Sequence, residues 1–132
     1  MNKLIIYTDG GARNNPGPAG IGVVLYDENK AIVETYKEYI GEATNNQAEY
    51  RALIKALQIA EKHSPKEINC FLDSELVVKQ LNKEYKVKDP DLQVLYNQIL
   101  DMTMFKNISF SHVRREQNKL ADKLVNEALD EV

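Results

Sequence analysis

Leu4-Ile5-Ile6-Tyr7-Thr8-Asp9-Gly10-Gly11 is the stretch on which the fold turns. Its alternation puts Ile5, Tyr7 and Asp9 on one face of a strand and Leu4, Ile6 and Thr8 on the other. Gly10 to Pro18, dense in Gly, Asn and Pro, predicts a turn that ends this strand at Asp9. Outward from it, Gly20–Tyr26 and Ala31–Ile40 read as two further strands joined by the hairpin loop Asp27-Glu28-Asn29-Lys30. Thr44 and Gln47 fit a capping box. They open a long helix in which Ala48, Ala52, Leu53, Ala56, Leu57 and Ala60 recur at helical spacing, with Ser64-Pro65 ending it. Ile68–Leu72 predicts a strand and Ser74–Leu81 a helix. Asp89-Pro90 reads as a cap followed by proline at the first helical position, ahead of a helix with Leu92, Leu95, Tyr96, Ile99 and Leu100 on one face. Ile108–Val113 is the last strand, and Asn118 caps a C-terminal helix running to Leu129. The order βββαβααβα predicts an α/β fold: a five-stranded mixed sheet with helices on both faces.

The 132 residues suit one domain, 1–132, with a single core. No apolar run approaches membrane-spanning length, so no membrane partner is expected. Met1-Asn2-Lys3-Leu4-Ile5-Ile6 meets Asp9 too soon for a secretory signal, which makes the cytoplasm the expected location. Cys70 is the single cysteine, so no internal disulfide forms. The net charge of −3 argues against the broad basic surface of a tight nucleic-acid binder. It is compatible with a carboxylate-rich site that recruits metal ions before phosphate.

Four carboxylates stand at element ends. Asp9 closes the first strand and Asp73 the fourth. If those strands are parallel neighbours, both acids emerge at one edge of the sheet, where open α/β sheets bind ligands. Glu49 heads the apolar stripe of its helix, three, four, seven and eight residues before Ala52, Leu53, Ala56 and Leu57. A carboxylate aimed at a core costs free energy unless it is paired or bound to metal. Asp122, in the first turn of the last helix, precedes Val125 and Leu129 on the inward face. Each has an ordinary alternative: Asp73 as an N-cap, Glu49 closing a cap with Asn46, Asp122 complementing a helix dipole, Asp9 shaping a turn before glycine. Four together at element ends, two of them leaning inward and with no partner cation near them in sequence, indicate a metal site. Oxygen-only ligation suits Mg²⁺ or Mn²⁺ rather than zinc or copper.

With those residues in place the sequence resembles the type 1 ribonuclease H family over nearly its whole length. The matching stretches are Tyr7-Thr8-Asp9-Gly10-Gly11, Asn15-Pro16-Gly17-Pro18-Ala19-Gly20-Ile21-Gly22, Thr44-Asn45-Asn46-Gln47-Ala48-Glu49, Leu72-Asp73-Ser74 and Asn118-Lys119-Leu120-Ala121-Asp122. The resemblance implies a ribonuclease H-like fold. It implies an endoribonuclease that cuts the RNA strand of RNA–DNA hybrids, leaving 5′ phosphates and 3′ hydroxyls. It further implies an acid quartet of Asp9, Glu49, Asp73 and Asp122 holding two Mg²⁺ or Mn²⁺ ions, Asp9 bridging them. By the same resemblance Asn14, Asn45 and Asn46 fall at or beside positions that read the minor groove and RNA 2′ hydroxyls. Thr44 matches a residue that binds a DNA-strand phosphate. Turn and cap chemistry is the alternative for Asn14 and Thr44.

Two departures separate this chain from many members. The basic element after the second helix is short: Lys83, Lys86 and Lys88 are offset by Glu84 and Asp89. The loop before the last acid, Arg114-Arg115-Glu116-Gln117, has no histidine. In that loop Arg115 is a candidate for phosphate contact, and Glu116 for drawing metal from the product phosphate. His112 precedes the loop within a strand and reads as structural. A monomer acting on hybrid, with double-stranded RNA as a further substrate, is the expectation. The rival readings are a weakly active or inactive module binding hybrid or double-stranded RNA, and a resolvase- or integrase-type nuclease on the same architecture.

Overall fold

The computed structural model describes residues 1–132. Its elements are β1 (Lys3–Ala12), β2 (Gly17–Tyr26), β3 (Ile32–Ala43), α1 (Asn45–Glu61), β4 (Glu67–Leu72), α2 (Glu75–Leu81), α3 (Pro90–Thr103), β5 (Ile108–His112) and α4 (Lys119–Asp130). A short 3₁₀ turn, Arg115–Gln117, precedes α4. The sheet order is β3-β2-β1-β4-β5. β1 pairs antiparallel with β2, and β2 with β3; β4 lies parallel to both β1 and β5. This is the five-stranded mixed sheet the element order predicts.

Helices cover both faces of β1, burying Leu4, Ile6 and Thr8 on one and half-burying Ile5 and Tyr7 on the other. Leu4 and Ile6 pack under α1 with Val23, Leu25, Leu53 and Leu57. Tyr7 and Tyr26 pack on the opposite face with Val24 and with Ala121 and Leu124 of α4. α1 starts where the capping box predicts. Thr44 Oγ1 accepts the Gln47 amide at 3.1 Å, and Gln47 Oε1 accepts the Thr44 amide at 2.9 Å. Asp89 caps α3 with Pro90 in its first turn, as the sequence indicates. No helix is long and apolar enough to cross a membrane.

The first strand does not end at Asp9. Asp9 pairs with Gly22, and Gly10, Gly11 and Ala12 continue the ladder opposite Ile21, Gly20 and Ala19. The turn is confined to residues 13–16. The glycines serve close packing rather than a bend. A Cβ on Gly10 would run into the backbone carbonyl of Ala48 and stand 2.6 Å from the Glu49 nitrogen; one on Gly22 would strike the Ala121 carbonyl oxygen. Two helices are thereby seated directly on neighbouring strands, one on each face. Turn glycine and close-approach glycine look alike in a sequence, so the pattern places the end of β1 at Asp9 and the structure places it at Ala12. β2 begins at Gly17 rather than Gly20, and β3 runs to Ala43 rather than Ile40: Ala19 and Gly20 pair with the extended end of β1, and Gly17, Pro18 and Ala19 pair with Ala43, Glu42 and Gly41 of β3.

Candidate active site

Parallel pairing of β1 with β4 runs from Lys3 opposite Glu67 to Thr8 opposite Leu72. The next residues of the two strands are Asp9 and Asp73, so register alone brings both acids to one edge of the sheet. Asp73 is not a cap. Ser74 takes that role, its Oγ accepting the Val77 amide at 3.3 Å, and the Asp73 carboxylate is left to the site. Glu49 arrives from α1 and is 6% exposed. It makes no cap with Asn46. Its Oε1 accepts the Gly10 amide at 3.1 Å, while Oε2 is buried with no partner. Asp122 arrives from the first turn of α4, on the other face of the sheet.

Asn118 sits at the N-terminal position of α4 but does not cap it through its side chain. Its side-chain amide donates instead to the Thr8 carbonyl at 2.8 Å. The bond ties the start of the Asp122 helix to the residue before Asp9.

Carboxylate oxygens of Asp9, Glu49 and Asp73 lie within 4.8 Å of one another. Asp122 stands outside this trio but lines the same cleft, of about 510 Å³, and its negative charge adds to those acting on Asp9. None of the four forms an ion pair with lysine, arginine or histidine. Burial, and then the negative charge of Asp73, push Asp9 up to about 7. Burial and the neighbouring Asp9 likewise drive Glu49 well above the usual carboxylate range. Acids crowded without cations resist ionisation. A buried carboxylate oxygen with no donor, beside two further carboxylates, is a lining that suits a hard divalent cation. The donors are all oxygen, which fits such an ion.

The other sequence candidates divide. Asn45 and Asn46 line the cleft. Asn45 is braced there, its Oδ1 accepting the backbone amide of Ala12 at 2.8 Å and its backbone N–H donating to Asn15 Oδ1 at 3.0 Å. Asn14 is exposed with a left-handed backbone, φ 76°, and does not line the cleft. The Thr44 hydroxyl caps α1, and Thr44 also lies outside the cleft wall. Arg115 lines the cleft; Glu116 does not. His112 ends β5 as an exposed residue away from the wall. The cleft wall also includes residues that the sequence does not single out for the site, among them Arg13, which lies in a segment that reads as a turn, and Val125, Asn126 and Leu129, which only the placement of α4 brings there.

A mixed sheet ordered β3-β2-β1-β4-β5, with acids from two parallel strand ends and from a helix on each face, defines the ribonuclease H-like class. The family model described as reverse transcriptase-like matches residues 7–128. A bifunctional protein of Mycobacterium tuberculosis is 44% identical over 130 residues, covering 97% of this chain and 36% of that protein. Ribonuclease HI of Halobacterium salinarum is 46% identical over 132 residues, covering 98% of this chain and 65% of the relative. Among solved structures, the complex of LC11-RNase H1, an enzyme isolated from compost by a metagenomic approach, with an RNA/DNA hybrid superposes at a TM-score of 0.93. It has 48% identity and covers 97% of each chain. The chain belongs to the type 1 ribonuclease H family. It spans about a third of the length of the mycobacterial relative and just under two thirds of the haloarchaeal one.

Proposed function

We propose that this chain is an endoribonuclease that hydrolyses the RNA strand of RNA–DNA hybrids, leaving 5′-phosphate and 3′-hydroxyl ends. The observation that carries the reading is the Asp9–Glu49–Asp73 cluster, with Glu49 Oε2 buried and unpartnered. Asp9, Glu49, Asp73 and Asp122 are the residues to hold two divalent ions, Mg²⁺ or Mn²⁺. Ions bound there supply water activation and stabilisation of the leaving 3′ oxygen in an in-line displacement. Asp9, whose carboxylate lies within 4.8 Å of those of Glu49 and Asp73, would hold an ion together with them. Gly10 fixes Glu49 through its amide, so the ligand set is organised by the backbone of β1. Asn45 and Asn46 offer side-chain amides where an RNA 2′ hydroxyl would distinguish RNA from DNA. The hybrid-bound relative supports this choice of substrate.

The test is a gel assay of the purified chain on labelled hybrid, double-stranded RNA and double-stranded DNA, with Mg²⁺, with Mn²⁺ and with chelator. Metal-dependent cutting of the RNA strand of the hybrid is expected. Absence of cutting with either ion, or equal cutting of double-stranded DNA, overturns the reading.

A further inference from the structure

A cleft with four carboxylates repels a polyanion unless cations on its wall offset them. Only two basic residues line it, Arg115 and Arg13. Arg13 has no role in the ligand set and follows β1 directly, its amide anchored to the Pro18 carbonyl at 2.8 Å. Its guanidinium reaches across to the end of α4, where Nη2 meets Asp130 Oδ1 at 2.6 Å. The two side chains are 49% and 67% exposed. An ion pair this open to water contributes little to stability, so its placement at the cleft rim is the informative feature. Val125, Asn126 and Leu129 extend the cleft along α4, away from Asp122 and toward Asp130. Asp122 to Asp130 is about 12 Å of helix, close to the rise of three or four nucleotides in one strand of a duplex.

We propose that Arg13 binds a backbone phosphate of the strand in the cleft, a few nucleotides from the reacting one, and that Asp130 holds the guanidinium until the phosphate arrives. This rests on the hybrid reading above. A guanidinium has five donors in a planar fork, and a single carboxylate oxygen occupies one end of it. Phosphodiester oxygens match the same fork. Exchanging Asp130 for phosphate leaves the cation paired throughout, while Asp130 lowers affinity by competing.

The experiment measures binding of fluorescent hybrid, and of double-stranded DNA, at several salt concentrations with Ca²⁺ in place of Mg²⁺. Wild type, Arg13→Gln, Arg13→Lys, Asp130→Asn and the Arg13→Gln/Asp130→Asn double variant are compared. Arg13→Gln should weaken hybrid binding roughly threefold to tenfold and lower the salt slope by about one. Arg13→Lys should restore the slope. Asp130→Asn should tighten binding in the wild-type background and do markedly less once Arg13 is gone. Each variant's melting temperature confirms that it is folded; both side chains are exposed, so little change is expected. An Arg13→Gln protein with wild-type affinity and slope overturns the phosphate role. An equal Asp130→Asn effect in both backgrounds overturns the competition. A wild-type chain that binds hybrid no better than double-stranded DNA, and cuts neither, overturns the underlying reading instead.

Discussion

The amide of Gly10 donates to Oε1 of Glu49 at 3.1 Å, across a separation of 39 residues. This bond fastens the start of α1 to β1 where Asp9, Glu49 and Asp73 converge. It forms only because Gly10 has no side chain, so the Ala48–Glu49 backbone rests against the strand.

Gly10→Ala should therefore damage structure and site together. The added methyl has backbone on its contact side, which cannot rotate away. Overpacking of this kind costs about 1–3 kcal/mol, and the displaced α1 carries Glu49 with it. A lower melting temperature together with loss of hybrid cleavage is expected. A variant with wild-type melting temperature and cleavage would show that α1 is not seated as described.

Asp9→Asn should abolish hybrid cleavage without unfolding the chain, because the proposed ligand role needs the full negative charge of a carboxylate. Purified variant and wild type are compared by initial rates and circular dichroism. Activity within about tenfold of wild type would remove Asp9 from the ligand set.

The same substitution should raise the melting temperature in chelator. Asp9 stands near 7 in the folded chain against an ordinary 3.8, chiefly through burial and then through Asp73. Between those values the folded state retains a proton that the unfolded state has released. Stability contributed here is therefore greatest at low pH and declines as pH rises from about 4 to about 7. Glu49 is raised as well and acts in the same direction. In chelator, thermal melts across this range should fall with pH for wild type and fall less for Asp9→Asn. A profile identical in the two proteins contradicts a crowded quartet.

Added Mg²⁺ should reverse that trend, since ion binding requires the deprotonated ligands. The gain in melting temperature from Mg²⁺ should be larger near about pH 8 than near about pH 5.5. Asp9→Asn should lose most of the gain at the higher pH. An equal gain at both values indicates binding elsewhere on the surface.

In the loop before α4, the structure favours Arg115 over Glu116, because Arg115 lines the cleft and Glu116 is not part of its wall. Arg115→Ala should raise KM for hybrid and slow multiple turnover about tenfold, through loss of a phosphate contact. Glu116→Gln should match wild type in both single and multiple turnover. If Glu116→Gln alone slows multiple turnover, product release depends on that acid after all, and the cleft wall seen here is not the one used in catalysis.

Much of the molecule was determined locally. Side-chain alternation in Leu4–Asp9, the Thr44–Gln47 capping box and the Asp89-Pro90 helix start each depend on neighbours a few residues away, and each stands in the structure as read. The inward position of Glu49 was legible because its place on the apolar stripe of α1 is a matter of helical period. Tertiary structure decided what depends on distant partners. Whether Gly10 and Gly11 turn or continue a strand is set by β2 beside them and α1 above them. Whether Ser74 or Asp73 caps α2, and whether Asn118 caps α4 or reaches to Thr8, is settled by which hydrogen-bond partner the packed chain brings within reach. The convergence of Asp9 and Asp73 required the β1–β4 register, and the place of Arg13 on the cleft wall required the end of α4. Those are contacts between residues 64 and 117 positions apart, and no local pattern encodes such distances because the free energy that selects them comes from burying two faces of one sheet at once.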